Sequence, residues 1–194
     1  MKITNVSIIK ENLDLLTPYS IAYETIDSVE NILLIIYLEN KLYGVGTASP
    51  AVFVTGETPE ECLRVLQTHT EPLLLGEDIR NINEILNQAH LTFQNFPAAL
   101  AALDIALHDL FTKFIDWPLF KFLGNSKPFN IPTSVTIGIT DTQQSIDLAK
   151  HWVQKGFQIL KIKTGLSLAE DFERLKKIKE AVGSSILIRI DGNQ

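Results

Sequence analysis

The chain has 194 residues, 17 basic against 23 acidic side chains, a net charge of −6 and 45% hydrophobic residues. This is an ordinary globular composition, long enough to bury a core without disulfide staples. A single cysteine, Cys62, excludes an internal disulfide framework and a cysteine metal cage, and makes a reducing cytoplasm the expected compartment. The mild acidity and the lack of a basic run argue against a nucleic-acid surface: Lys176, Lys177 and Lys179 alternate with helix formers, as on a solvated face.

The segment Met1 to Lys10 alternates rather than forming an apolar run, so neither a signal peptide nor a membrane span is expected. It opens an antiparallel meander that continues around Ile21 to Ile26, runs through Ile32 to Leu38, turns at Glu39-Asn40-Lys41 and returns from Leu42 to Thr47. Thr58-Pro59-Glu60-Glu61 then starts a helix, with Thr58 as N-cap, Pro59 at the first helical position and Glu61 closing a capping box. A second helix is predicted over Asn83 to Gln88. A third, from Pro97 to about Phe114, is rich in alanine and leucine and apolar nearly all round, as a central buried helix is.

Beyond Gly124 the pattern changes at a polar, proline-containing link, Asn125 to Asn130. The remaining residues form a strand–helix–strand–helix–strand repeat: strand Ile131 to Ile137, helix Asp141 to Lys155 ending at Gly156, strand Phe157 to Lys163, helix Ser167 to Val182 ending at Gly183, and strand Ile186 to Asp191. Asp141 with Gln144 and Ser167 with Glu170 have capping-box spacing, and a parallel sheet with right-handed crossovers is expected. The last strand runs straight into the C-terminus, where a strand of that pattern expects a further element.

In α/β sheets chemistry gathers at the carboxyl ends of strands. The first end offers Ser134, Thr136 and Gly138 on one face. The second offers Lys161 and Lys163, whose spacing of two puts both ammonium groups on one face with Leu160 and Ile162 turned to the helices. Such a pair is either an anti-aggregation device on an edge strand or, on an internal strand, two partly desolvated cations that depress each other's pKa and supply a base near neutral pH. The third end offers Asp191 and Asn193. Asp-Gly-Asn is either a turn or, at the end of the strand after the lysine strand, an oxygen ligand for Mg²⁺ facing the same cavity. His69, His90, His108 and His151 lack metal-ligand spacing, Cys62 reads as a core thiol, Trp117 and Trp152 read as packing residues, and Gly44-Val45-Gly46 lacks the third glycine of a dinucleotide loop.

These residues carry a resemblance. Thr133-Ser134-Val135-Thr136-Ile137-Gly138-Ile139, Lys161-Ile162-Lys163 and Ile190-Asp191-Gly192-Asn193, with Ala99 to Leu110 and Val54-Thr55-Gly56-Glu57-Thr58 in support, resemble the N-terminal half of the enolase superfamily, on the muconate-lactonising branch, and within it the dipeptide epimerases of L-Ala-D/L-Glu type. The likeness extends over essentially the whole chain. It implies an α/β plus α+β architecture: a capping domain over residues 1–124, then the first three strands of a modified (β/α)7β TIM barrel over residues 125–194, with two capping-domain loops above the active site.

By the same resemblance Lys163 is the acid/base on one face of the substrate α-carbon, and Lys161 lowers its pKa and lies near the substrate carboxylate. Asp191 is the first of three Mg²⁺ ligands, Asn193 supports that ligand from beside it, and Thr136, Tyr19 and Glu24 contact substrate. The implied reaction is a Mg²⁺-dependent 1,1-proton transfer through an enediolate on a small dipeptide, in a cytoplasmic homo-oligomer with no nucleic-acid or membrane partner. The opposing acid/base, a lysine on a later strand in the family, and the other two metal ligands fall beyond Gln194. The 194 residues alone are therefore expected to be inactive, with open strand edges. Glu24 stands where glutamate-dipeptide members carry arginine. It would repel a substrate carboxylate and admit a neutral or cationic side chain, unless it turns to solvent. Alternatives are a muconate cycloisomerase or o-succinylbenzoate synthase of the same superfamily, an inactive fragment, and a small doubly wound binding domain.

Overall fold

The computed structural model describes residues 1–20, 25–124, 131–165 and 167–192. They divide into two compact units, residues 1–13 with 29–128, and residues 14–28 with 129–194.

A three-stranded sheet runs in the order β1 (Ile3–Ser20), β2 (Thr25–Leu38), β3 (Tyr43–Ala48), with β2 and β3 antiparallel and Ile32 opposite Ala48; the first unit holds β1 up to Leu13, β2 from Val29 and all of β3. Both β1 and β2 are longer than the short meander strands expected, while residues 21–24 of the predicted strand Ile21 to Ile26, and the predicted link Asn125 to Asn130, lie outside the described residues. In β2 the alternate residues Ile32, Leu34, Ile36 and Leu38 are buried, the period-two signature of a sheet with one face on a core. That face meets α4 (Pro97–Phe114), which buries Ala99, Ala102, Leu103, Ala106, Leu107 and Leu110. The small residues of α4 let the sheet approach very closely. A β-carbon on Gly46 would lie 1.9 Å from the Ala102 carbonyl oxygen, so Gly44-Val45-Gly46 is a packing motif. Asp109 of α4 accepts the Val45 N–H at 2.8 Å, satisfying a β3 donor from the helix, and is itself paired with Lys113 at 2.7 Å.

Around this pair lie α1 (Val52–Thr55), α2 (Pro59–Leu74), a 3-10 turn at Ile79–Asn81, α3 (Ile82–Thr92) and α5 (Leu119–Phe122). The Thr58 cap of α2 is a full capping box, and its donors hold the Glu61 carboxyl below the usual range. The N-terminus of α4 has no cap from Phe96. It is capped instead by Glu57, which is buried and accepts from Ala98 N–H at 2.5 Å and Ala99 N–H at 3.4 Å. Burial pushes the nearby Cys62 thiol up to about 12, with the Glu57 carboxylate adding to the effect.

The second unit contains a parallel sheet in the order β4 (Ser134–Ile137), β5 (Ile159–Lys163), β6 (Leu187–Asp191), linked by α6 (Thr142–Gln154) and α7 (Leu168–Val182). Asp141 and Ser167 cap α6 and α7 through the N–H groups of Gln144 and Glu170. Gly156 and Gly183 follow the two helices with φ of 94° and 86°, a conformation that costs other residues strain. Leu160 and Ile162 are fully buried and pack with Ile137, Ala149, Ile178 and Ile186. The sequence reading makes β6 a buried strand; instead Leu187 and Ile190 are 61% and 64% exposed, because among the described residues β6 pairs on one side only, with β5. No helix among the described residues is long and apolar enough to cross a membrane.

Candidate active site

Parallel register sets the geometry. Thr136 lies opposite Lys161 and Lys161 opposite Arg189, while Lys163 lies opposite Asp191. Residues two apart share a face, so Thr136, Lys161, Lys163, Arg189 and Asp191 line the side of the sheet opposite Leu160 and Ile162. There the carboxyl ends of β5 and β6 converge. Lys161 Nζ is 2.7 Å and Lys163 Nζ 2.8 Å from the same Asp191 Oδ2. The two ammonium groups thus meet through a carboxylate that offsets their repulsion, an arrangement the spacing of the lysines alone does not disclose. The lysines differ in burial, since the Lys163 side chain is 12% exposed and that of Lys161 39%.

Backbone contacts hold the cluster. Thr164 N–H donates to the Asp191 carbonyl at 3.0 Å, extending the β5–β6 ladder past Lys163. On α7, Asp171 and Arg174 form a buried pair at 2.9 Å. Arg174 also donates to the Lys163 carbonyl at 2.5 Å, and Asp171 accepts the Gly165 N–H at 2.8 Å. The sequence reading does not single out these two. The available signal is their phase: 171, 174 and 178 fall on one helical face, and Ile178 is core.

Of the remaining predicted site residues, Thr136 is exposed beside Lys161 and lines a cleft of about 520 Å³ with Gly138, Thr140, Gln144 and Trp152. Lys161, Lys163 and Asp191 do not line that cleft. Tyr19 belongs to β1, but its side chain, like all of Glu24 and Asn193, lies outside the described residues. Among the described residues no group of three or more histidine, cysteine, aspartate or glutamate side chains could hold a metal ion. Asp191 is a hard oxygen donor of the kind Mg²⁺ takes, so the chemistry fits, with Asp191 as one ligand among several.

Residues 3–124 match the N-terminal domain of the mandelate racemase / muconate lactonizing enzyme family, and residues 144–194 match its enolase C-terminal domain-like model. The chain belongs to this family. Within it, the chain is 44% identical over 194 residues to an L-Lys-D/L-Arg epimerase from Desulforapulum autotrophicum, covering 100% of this chain and 54% of that protein. The solved dipeptide epimerase from Methylococcus capsulatus, complexed with Mg and the dipeptide L-Arg-D-Lys, matches with a TM-score of 0.95 at 36% identity, over 100% of this chain and 55% of that one. A substrate-liganded L-Ala-D/L-Glu epimerase from Bacillus subtilis matches with a TM-score of 0.94 at 27% identity, over 100% and 54%. The chain spans about half the length of the curated family relatives it matches. Its fold is that of the family's capping domain with part of the barrel sheet after it.

Proposed function

We propose that the protein is a Mg²⁺-dependent dipeptide epimerase, moving the α-proton of one residue of a dipeptide between the two faces of its α-carbon, and that residues 1–124 are its capping domain and residues 125–194 the start of its barrel. The observation that carries this reading is the convergence of Lys161 and Lys163 on Asp191 at adjacent strand ends. Lys163, the more buried lysine, takes and returns the proton on one face, where its low exposure shields the transfer from bulk water. Lys161, more open to solvent, orients the substrate carboxylate. Asp191 would hold Mg²⁺ together with other ligands. When bound, the ion would stabilise by several kcal/mol the negative charge that builds on the carboxylate as the α-carbon loses its proton. Asn193 is proposed to support Asp191, and Thr136 and Tyr19 to contact substrate.

For the substrate we infer a dipeptide with a cationic side chain. Glu24 would attract such a side chain and repel an acidic one. Two similar relatives are named for lysine and arginine dipeptides, in keeping with that charge. A cytoplasmic location and self-association are proposed on composition and on the family alone.

The test is α-proton exchange in D₂O, monitored by NMR, using the protein as its gene encodes it with Mg²⁺ and a dipeptide panel. Lysine- and arginine-containing dipeptides are expected to exchange fastest and L-Ala-L-Glu slowly. No exchange with any dipeptide, or turnover of muconate instead, would overturn the reading.

A further inference from the structure

The Asp171–Arg174 pair sits where a stability argument explains it poorly. Arg174 is 2% and Asp171 8% exposed. Burying two charges costs several kcal/mol in desolvation, which their attraction offsets only in part, so a pair of this kind is weak evidence for stability and calls for another account. Its contacts supply one. Arg174 Nη2 donates to both the Asp171 carboxylate, at 2.9 Å, and the Lys163 carbonyl, at 2.5 Å, while Nη1 reaches the Gly138 carbonyl at 3.4 Å. Asp171 Oδ2 accepts the Gly165 N–H at 2.8 Å.

The pair therefore grips backbone on both sides of Thr164, and the residue after β4 as well. These are the points where β4 and β5 end and their backbone groups need partners from outside the sheet. Its own position is fixed from below by α7, whose Ser167 cap and Ile178 anchor that helix.

We propose that Asp171 and Arg174 are positioning residues that hold the backbone of Lys163, and through it the ammonium group, at the reacting face. The proposal rests on the epimerase reading for its consequence: a displacement of the order of 1 Å at a reacting group slows chemistry by ~10²-fold. Lys163 is the one proposed acid/base among the residues whose backbone the pair is seen to grip, so the effect is expected on one face of the substrate. The opposing face, served in the family from a later strand, is spared.

The experiment measures α-proton exchange in D₂O separately from the L and D epimers of one dipeptide. It uses the wild-type protein, Asp171→Asn, and the double variant Asp171→Leu/Arg174→Met, which keeps volume and removes both charges should the single variant fail to fold. Both variants are expected to lose ~10²-fold in kcat from the face served by Lys163, with KM and the opposite face changed by less than about threefold. Equal losses from both faces, a loss confined to KM, or no loss would each overturn the proposal.

If the wild-type protein exchanges neither epimer of any dipeptide, the epimerase reading fails by itself. The positioning claim is then decided by a crystal structure of the double variant. It is upheld if Lys163 Nζ has left its 2.8 Å contact with Asp191, and overturned if that contact is intact.

Discussion

The two units bury charge for different ends. In the first, Glu57 is buried to cap the N-terminus of α4, and around it the apolar faces of β2 and α4 form a continuous core through Ile32, Leu34, Ile36, Leu103 and Leu107. In the second, Leu160 and Ile162 pack with Ile137, Ala149 and Ile178, and the buried charges Asp171 and Arg174 hold backbone at the carboxyl ends of β4 and β5. A buried charge that answers only a helix terminus completes the fold. One that grips the backbone beneath a reactive side chain points to chemistry.

Four perturbations sharpen the contrast. The largest effect is expected for Asp171→Asn, which leaves Arg174 buried without a counter-charge and should cost ~3–5 kcal/mol in denaturant unfolding, whereas Asp171→Leu/Arg174→Met should stay within ~1–2 kcal/mol of wild type. A double variant as damaged as the single one would make the pair structural after all. Next is Leu107→Ala, expected to cost ~3 kcal/mol through the cavity left under β2 and β3, while leaving α-proton exchange unchanged at temperatures where the protein is folded.

Glu57→Gln comes third, at ~1–2 kcal/mol, because an amide oxygen still accepts from Ala98 and Ala99 but without the favourable charge at the helix N-terminus. The smallest effect is on Cys62. With its pKa raised above the unfolded value, the buried thiol contributes constant stability below the ordinary thiol range. That contribution is lost as pH rises from about 9 toward the folded value of about 12. At pH 8 the native protein should resist alkylation at Cys62, and unfolded protein should react.

Much of this was legible in the residues, for local reasons. Pro97 and the alanine–leucine run fix α4, and Thr58 to Glu61 fix the start of α2, since caps and apolar phase are written in neighbouring residues. Strand order and the shared face of Lys161 and Lys163 are consequences of the repeat. Other features depend on partners distant in sequence. The lengths of β1 and β2 are not marked by an uninterrupted apolar pattern. The purpose of Gly44 and Gly46 appears only once α4 lies against them. Asp171 and Arg174 look like any charged pair on a solvated helix until their phase is set against Ile178 and the strand ends they hold.

In the proposed reaction Lys163 acts on one face of the substrate. The most direct test of this role is α-proton exchange by Lys163→Ala, in the protein as its gene encodes it, from each epimer of a lysine-containing dipeptide. A loss of at least ~10³-fold from one epimer is expected, with exchange from the other retained. Equal rates from both epimers, whether both lost or both kept, would contradict it.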